Sequence, residues 1–173
     1  MASTVADARI LAAARAAFKR VGPRIVHRDL VAVADFSQPS RQPRLHLVDM
    51  ASGKAAALLV AHGRGSDPDG TGWLRSFSNR PNSEATSQGA YLTGEFYNGE
   101  HGRSMRLHGL EATNSNAEAR EIVIHSAAYV GPDVVREQAR LGRSEGCFAV
   151  SPADLNEVLR RLGPGRLLVA CRL

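Results

Sequence analysis

Most of the chain consists of short apolar runs of the β type, separated by turns rich in proline, glycine and serine. Three runs come early, DLVAVADF, RLHLVDM and AAALLVA, and three more follow a long polar segment, AYLTGEFY, SMRLHGL and EIVIHSA. Runs of this length, bounded by turn residues, are typical of β-strands. The pattern therefore predicts a mainly β fold with flanking helices, of the α+β class.

Two segments have helical periodicity instead. Residues 3–20 carry an apolar stripe, with Ser3 or Thr4 as the expected N-cap, and we expect this helix to pack on the outside of the sheet. The second segment is SPADLNEVLRRLG, in which Ser151 is the predicted N-cap and Gly163 the end.

Size and charge narrow the class of protein. The 173 residues, 43% of them hydrophobic, are enough for one compact domain. No apolar stretch has the length of a membrane span and no signal peptide is recognisable, so localisation has to follow from function.

The net charge of +5 comes almost wholly from scattered arginines, whereas a nucleic-acid surface would cluster them. Scattered arginines favour a carboxylate-bearing substrate. We therefore predict no nucleic-acid partner, no membrane span and a monomer.

The stretch GRSEGCFAVSPADL presents Cys147 in a small polar turn just before an apolar run. A free thiol has a pKa of about 8.5, so a nucleophilic cysteine needs an imidazole to take its proton, and His125 at the end of EIVIHSA is the candidate base. Gly146 allows a tight turn whose amides can stabilise an oxyanion, and Ser144 can hydrogen-bond within that turn. The alternative is that Cys147 is a buried small apolar residue. Cys171, in RLLVACRL, is predicted to be an ordinary buried strand residue.

The remaining histidines include two rivals to His125, since both end strand-like runs and precede glycine: His62 and His108. Three others lie among polar or alternating positions and are predicted to be bystanders: His27, His46 and His101. A zinc site of His108, His125 and Cys147 lacks compact ligand spacing, so we predict no metal. The polar segment from Gly63 to Gly89 is expected to border the site, because a loop of that length is usually functional or disordered.

IVIHSAAYV followed by GRSEGCFAVS resembles the catalytic stretch of the murein L,D-transpeptidases, the YkuD-like family. The resemblance extends from about residue 28 to the C-terminus and is similar to a divergent branch of that family, through HGRGS, FSNRPNS, SQGAYLTG, HGRSMRLHGL, NAEAREIVIHSA and GRSEGC in the family's order. It implies a β-rich catalytic domain over residues 28–173, with residues 1–27 as an N-terminal helix packed on it and one helix after the catalytic cysteine.

The activity that the resemblance implies is crosslinking of peptidoglycan stem peptides without a metal or cofactor. Cys147 would attack the carbonyl of an L-centre in a donor stem and form a thioester, with His125 as the base. An amine of a neighbouring acceptor stem would then resolve the thioester. The product is a 3-3 crosslink if the attacked carbonyl belongs to the third residue of the donor stem, and a 1-3 crosslink if it belongs to the first. The alternatives are a carboxypeptidase or endopeptidase that hydrolyses stems, and a non-catalytic cell-wall-binding domain. The implied location is the periplasm or cell wall, with the signal peptide absent from this sequence.

The chain also departs from the family pattern. Ser144 and Gly146 match it, but the usual histidine between them is Glu145, and the arginine or asparagine two residues after the cysteine is Ala149. These changes predict a reshaped donor pocket and favour 1-3 crosslinks slightly. We expect Arg143, on the other side of the turn, to supply the positive charge that the two altered positions lack. The residues expected to bind substrate are Arg143, Tyr91, His108 and Asn79.

Overall fold

The computed structural model describes residues 3–173, which form one nine-stranded sheet, three α-helices and three short 3-10 helices. The strands are β1 (Thr4–Val5), β2 (Leu30–Asp35), β3 (Leu45–Asp49), β4 (Lys54–Leu58), β5 (Gly89–Gly99), β6 (Gly102–Gly109), β7 (Val123–Ser126), β8 (Phe148–Val150) and β9 (Leu167–Cys171). The helices are α1 (Ala8–Val21), α2 (Pro132–Gln138) and α3 (Pro152–Leu162). Within residues 3–173, no helix combines the length and apolarity needed to cross a bilayer.

The strand order is β1-β4-β3-β2-β9-β5-β6-β7-β8, and two neighbouring pairs are parallel, β2 with β9 and β7 with β8. Parallel neighbours need a crossover connection, and α2 lies in the segment that joins β7 to β8. The two stretches that carry the candidate nucleophile and base therefore lie side by side at one edge of the sheet.

Both faces of the sheet are covered by apolar packing. In β2, Leu30, Ala32 and Ala34 belong to one core, and Val31 and Val33 to the other, as the alternation of side chains in a strand requires. The first core is completed by the apolar face of α3, and the second by that of α1. Each fully buried leucine or valine contributes roughly 1.5 to 3 kcal/mol to folding.

The predicted strands and the helix after Cys147 are confirmed. Ser151 caps α3, where its side chain accepts a hydrogen bond from the Asp154 amide at 3.1 Å, and Gly163 follows its last turn. The predicted start of the first helix is wrong. Thr4 and Val5 pair with β4 instead, and Asp7 is the N-cap of α1. Helix α2 was not predicted.

Candidate active site

A cleft of about 630 Å³ lies where β7 and β8 meet the hairpin formed by β5 and β6. Its walls come from parts of the chain that are distant in sequence. The side chains that line it include Arg64, Tyr97, His101, Arg106, Arg120, Glu121, His125, Tyr129, Arg143, Glu145 and Cys147. The cleft therefore contains the candidate nucleophile, the candidate base and charged groups of both signs.

The sheet brings Cys147 and His125 to the same cleft. His125 pairs with Ala149 across the parallel β7–β8 ladder, and Cys147 lies two residues before Ala149. Cys147 lies in the bend just before β8, and its side chain and that of His125 both line the cleft. Among the described residues, 3–173, no hydrogen bond joins the Cys147 thiol to the His125 imidazole. The Cys147 thiol donates instead to the Glu121 carbonyl oxygen, which lies 3.5 Å from Sγ.

The tautomer of His125 follows from its neighbour. Nδ1 lies 2.9 Å from the carbonyl oxygen of Ser126, which only accepts, so Nδ1 carries the hydrogen and Nε2 has the free lone pair. Burial lowers the pKa of His125; the Ser126 hydrogen bond opposes this, and the nearby His101 lowers it further. The imidazole is therefore neutral at pH 7 and able to accept a proton.

The thiol does not ionise by itself. Burial raises the pKa of Cys147, the Val123 amide and the Arg120 cation lower it, and Glu145 and Glu121 raise it again, with a net upward shift. A thiol whose pKa lies above its ordinary value is protonated at pH 7. Reactivity at neutral pH therefore requires a base.

The turn before Cys147 depends on glycine. Gly146 has a φ of +118°, and a Cβ there would lie 2.7 Å from the Ala85 carbonyl oxygen. Ser144 makes the expected hydrogen bonds within this turn, donating to the Cys147 carbonyl at 2.7 Å and accepting from the Gly146 amide at 3.2 Å. The Gly146 amide is therefore engaged within the turn.

The turn before Cys147 is hydrogen-bonded to the segment around His62. The Ser144 amide donates to the His62 carbonyl at 3.0 Å, and the Arg64 amide donates to the Ser144 carbonyl at 2.7 Å. The His62 ring is buried: Arg44 Nη2 donates to Nδ1 at 2.7 Å, so Nε2 carries the hydrogen and donates to Asp67 Oδ2 at 3.3 Å. Both ring nitrogens are occupied and the ring does not line the cleft, so His62 is a supporting residue and not a rival base.

This buried histidine predicts a pH dependence of stability. Burial and the Arg44 cation lower the pKa of His62 to about 4, against the opposing effect of Asp67. An unfolded histidine has a pKa of about 6.5, so its contribution is complete above about pH 6.5 and is lost as pH falls towards 4. The loss is on the order of 3 kcal/mol at most. Urea unfolding of wild type and His62→Gln at several pH values should show a shallower decline in the variant, with His27→Gln unchanged from wild type. Equal declines in all three proteins would contradict this.

Arg143 lines the cleft, and its guanidinium is partly engaged. Nη1 donates to the carbonyl oxygens of Asp67 and Pro68. Among residues 3–173, no hydrogen-bond partner is found for Nε or Nη2. One side of the fork is therefore open to a ligand.

The other three predicted substrate-binding residues do not line the cleft. Tyr91 is fully buried, and its hydroxyl donates to the Ser87 carbonyl at 2.7 Å. His108 Nδ1 lies 2.7 Å from a carboxylate oxygen of Glu118. The Asn79 amide donates to a backbone carbonyl and a serine hydroxyl, each at 3.0 Å, and so braces the loop before β7. The expectation that these side chains bind substrate is not supported by where they lie.

Several cleft residues were missed from the sequence. His101 was predicted to be a bystander, but its ring stacks on His125 with centroids 4.2 Å apart. Arg120 donates to carbonyls of the long polar segment, which borders the cleft as expected. Arg64 forms an ion pair with Glu145 at 2.9 Å on the rim. Nothing local in the sequence signals these contacts, because each joins distant segments.

The family model described as the L,D-transpeptidase catalytic domain matches residues 3–171. A comparison with curated proteins gives no significant match. Among solved structures, an L,D-transpeptidase from Mycobacterium tuberculosis is 15% identical with a TM-score of 0.51, over 82% of this chain and 57% of that one.

Two further structures are similar. L,D-transpeptidase 3 from Mycobacterium tuberculosis, in complex with a faropenem-derived adduct, has a TM-score of 0.52 at 13% identity, over 83% of this chain and 60% of that one. The helical cell shape determining protein Pgp2 from Campylobacter jejuni has a TM-score of 0.53 at 13% identity, over 96% of this chain and 57% of that one. The chain therefore spans less than two thirds of each of these proteins, and the likeness concerns the fold.

Proposed function

The chain belongs to the L,D-transpeptidase catalytic domain family, and from this premise we propose that it is a cysteine-dependent enzyme that crosslinks peptidoglycan stem peptides. The predicted fold, mainly β with flanking helices, agrees with this membership. One observation carries the proposal: a partly exposed thiol, Cys147, shares a cleft with a neutral imidazole, His125, whose Nε2 is free to accept a proton.

The first half-reaction forms a thioester. The Cys147 thiol transfers its proton to Nε2 of His125, and the thiolate attacks the carbonyl carbon of an L-centre in the donor stem. A carbon–sulfur bond forms and the peptide carbon–nitrogen bond breaks. The leaving amine takes the proton back from the imidazolium. The Arg120 cation lowers the pKa of Cys147 and so stabilises the thiolate as it appears.

The second half-reaction transfers the acyl group. A side-chain amine of a diamino acid in the acceptor stem gives a proton to His125 and attacks the thioester carbonyl, and the thiolate leaves and is reprotonated. Bonds and protons balance over the cycle without an oxidant, a metal or a cofactor. Because peptidoglycan lies outside the cytoplasmic membrane, we propose the periplasm or cell wall as the place of action.

The test is incubation with purified disaccharide-peptides and mass analysis of the products. Crosslinking gives dimers that lack the part of the donor stem beyond the attacked carbonyl, whereas a hydrolytic carboxypeptidase or endopeptidase gives shortened stems without dimers. A non-catalytic wall-binding domain gives no new mass. Dimers from wild type and none from Cys147→Ala are the expected result.

We expect the crosslinks to be of the 1-3 type, because two side chains around the cysteine differ from the family pattern. Glu145 is held on the rim by Arg64, and Ala149 is fully buried in β8 and offers no polar group. Tandem mass spectrometry of the dimers identifies the donor residue. A majority of 3-3 dimers would contradict this expectation.

We propose that Arg143 binds a carboxylate of the donor stem through the open side of its guanidinium. Arg143→Lys removes the two-pronged geometry while keeping the charge. The variant should lose about 1.5 to 3 kcal/mol of interaction free energy with the carboxylate. For donors with a free carboxylate, this loss should reduce kcat/KM by about tenfold to a hundredfold, mainly through KM. Arg140→Lys, at an exposed arginine that does not line the cleft, is the matched control. Equal kinetics for Arg143→Lys and wild type, with free and amidated donors alike, would dismiss this role.

A further inference from the structure

The turn of the β5–β6 hairpin reaches the candidate base. The ladder closes with Gly99 opposite Gly102, so Glu100 and His101 form a two-residue turn at the tip. The His101 ring lies against the ring of His125, with centroids 4.2 Å apart and planes inclined by 20°. A stack of this geometry joins a loop tip to a residue inside the sheet.

The hairpin is braced along its length, so the position of its tip is built into the fold. Glu95 and Arg106 form an ion pair at 2.9 Å, and the Arg106 guanidinium lies 4.4 Å from the centre of the Tyr97 ring. Nearer the tip, the Arg103 guanidinium lies 5.1 Å from the centre of the Phe96 ring. Contacts between cations and aromatic rings contribute about 0.5 to 1 kcal/mol each at exposed sites.

Two contacts hold the orientation of the His125 ring. Its Nδ1–H donates to the Ser126 carbonyl at 2.9 Å, and one of its faces is covered by His101. Rotating the ring by half a turn would exchange the nitrogen and carbon positions and break the hydrogen bond. The stack opposes the tilting that such a rotation requires. Stacked aromatic pairs contribute about 0.5 to 1.5 kcal/mol beyond the apolar area they bury.

We propose that His101 is a positioning residue for the base: its ring holds the imidazole of His125 in the orientation that accepts the proton of Cys147. The hairpin is thereby coupled to the reactivity of the thiol, since displacement of the tip removes the stack. The proposal rests on the proposed function, in which His125 is the base.

The test compares His101→Ala with His101→Phe in the full chain. Phenylalanine keeps an aromatic ring for stacking, and alanine does not. We expect His101→Ala to lower kcat roughly twofold to tenfold, the range that one aromatic contact supports, with little change in KM. His101→Phe should keep kcat close to that of wild type, and His27→Ala, at an exposed histidine outside the cleft, should have no effect.

A spectroscopic measurement separates this proposal from the function on which it rests. Nitrogen-15 NMR of the ring nitrogens should show His125 as one tautomer, protonated at Nδ1, in wild type and His101→Phe, and as a mixture in His101→Ala. An unchanged tautomer and kcat in His101→Ala, or identical behaviour of the two variants, would overturn the proposal. If wild type forms no dimers, the proposed function fails, and the NMR spectra still decide whether His101 orients His125.

Discussion

Replacement of Cys147 by alanine is expected to abolish dimer formation, and replacement by serine to do nearly the same. Serine is the sharper test because it keeps the size and hydrogen-bonding ability of the side chain. The partner of His125 on its Nδ1 side is a backbone carbonyl and not a carboxylate, so the imidazole is suited to a thiol but not to a hydroxyl, which is far harder to ionise. Loss of a nucleophile costs on the order of 10⁴-fold or more in kcat.

The fold should tolerate both substitutions. Cys147 is partly exposed, and within the described part of the chain its sulfur donates a hydrogen bond only to the Glu121 carbonyl, so the melting temperature should stay close to that of wild type. Cys171→Ala is the matched control, since Cys171 is also partly exposed, lies outside the cleft and has a pKa that burial raises to about 12. It should keep full turnover. Continued crosslinking by purified Cys147→Ala would remove the thioester mechanism.

The elements that the sequence predicted are those whose signals are local. Apolar runs bounded by turn residues identify the strands, and the Ser151 cap identifies α3. The start of α1 was placed too early because Thr4 pairs with Ala55, a partner far along the chain that helical periodicity does not reveal. Helix α2 has no buried residue, so it carries no apolar stripe that would predict it.

The same distinction applies to the site. Cys147 and His125 each flank an apolar run, and parallel pairing of those runs brings them to one cleft. Arg44 resembles a solvated arginine in a proline-flanked connection, but it is fully buried because two backbone carbonyls and the His62 ring satisfy its guanidinium. Tyr91 was predicted to bind substrate, but which side of its strand faces the core depends on packing against distant residues such as Phe148.

Replacement of His125 by alanine is expected to lower kcat by about 10²- to 10⁴-fold, the usual contribution of a general acid–base residue. It should also change the pH profile. Because burial lowers the pKa of His125, wild-type kcat/KM should stay high at neutral pH and fall only in the acid range below the pKa of an ordinary histidine, where the imidazole becomes protonated and no longer accepts. The alanine variant should lose this acid limb.

His108→Ala is the control that discriminates between the two candidate bases. His108 is paired with Glu118 and does not line the cleft, so its removal should leave kcat within about twofold of wild type, as expected for a surface substitution that touches no reacting group. Steady-state rates of dimer formation between pH 5 and 9 for both variants make the comparison. Loss of the acid limb in His108→Ala, with its retention in His125→Ala, would assign the base to His108. The two-strand arrangement that brings His125 beside the thiol would then have only a structural role.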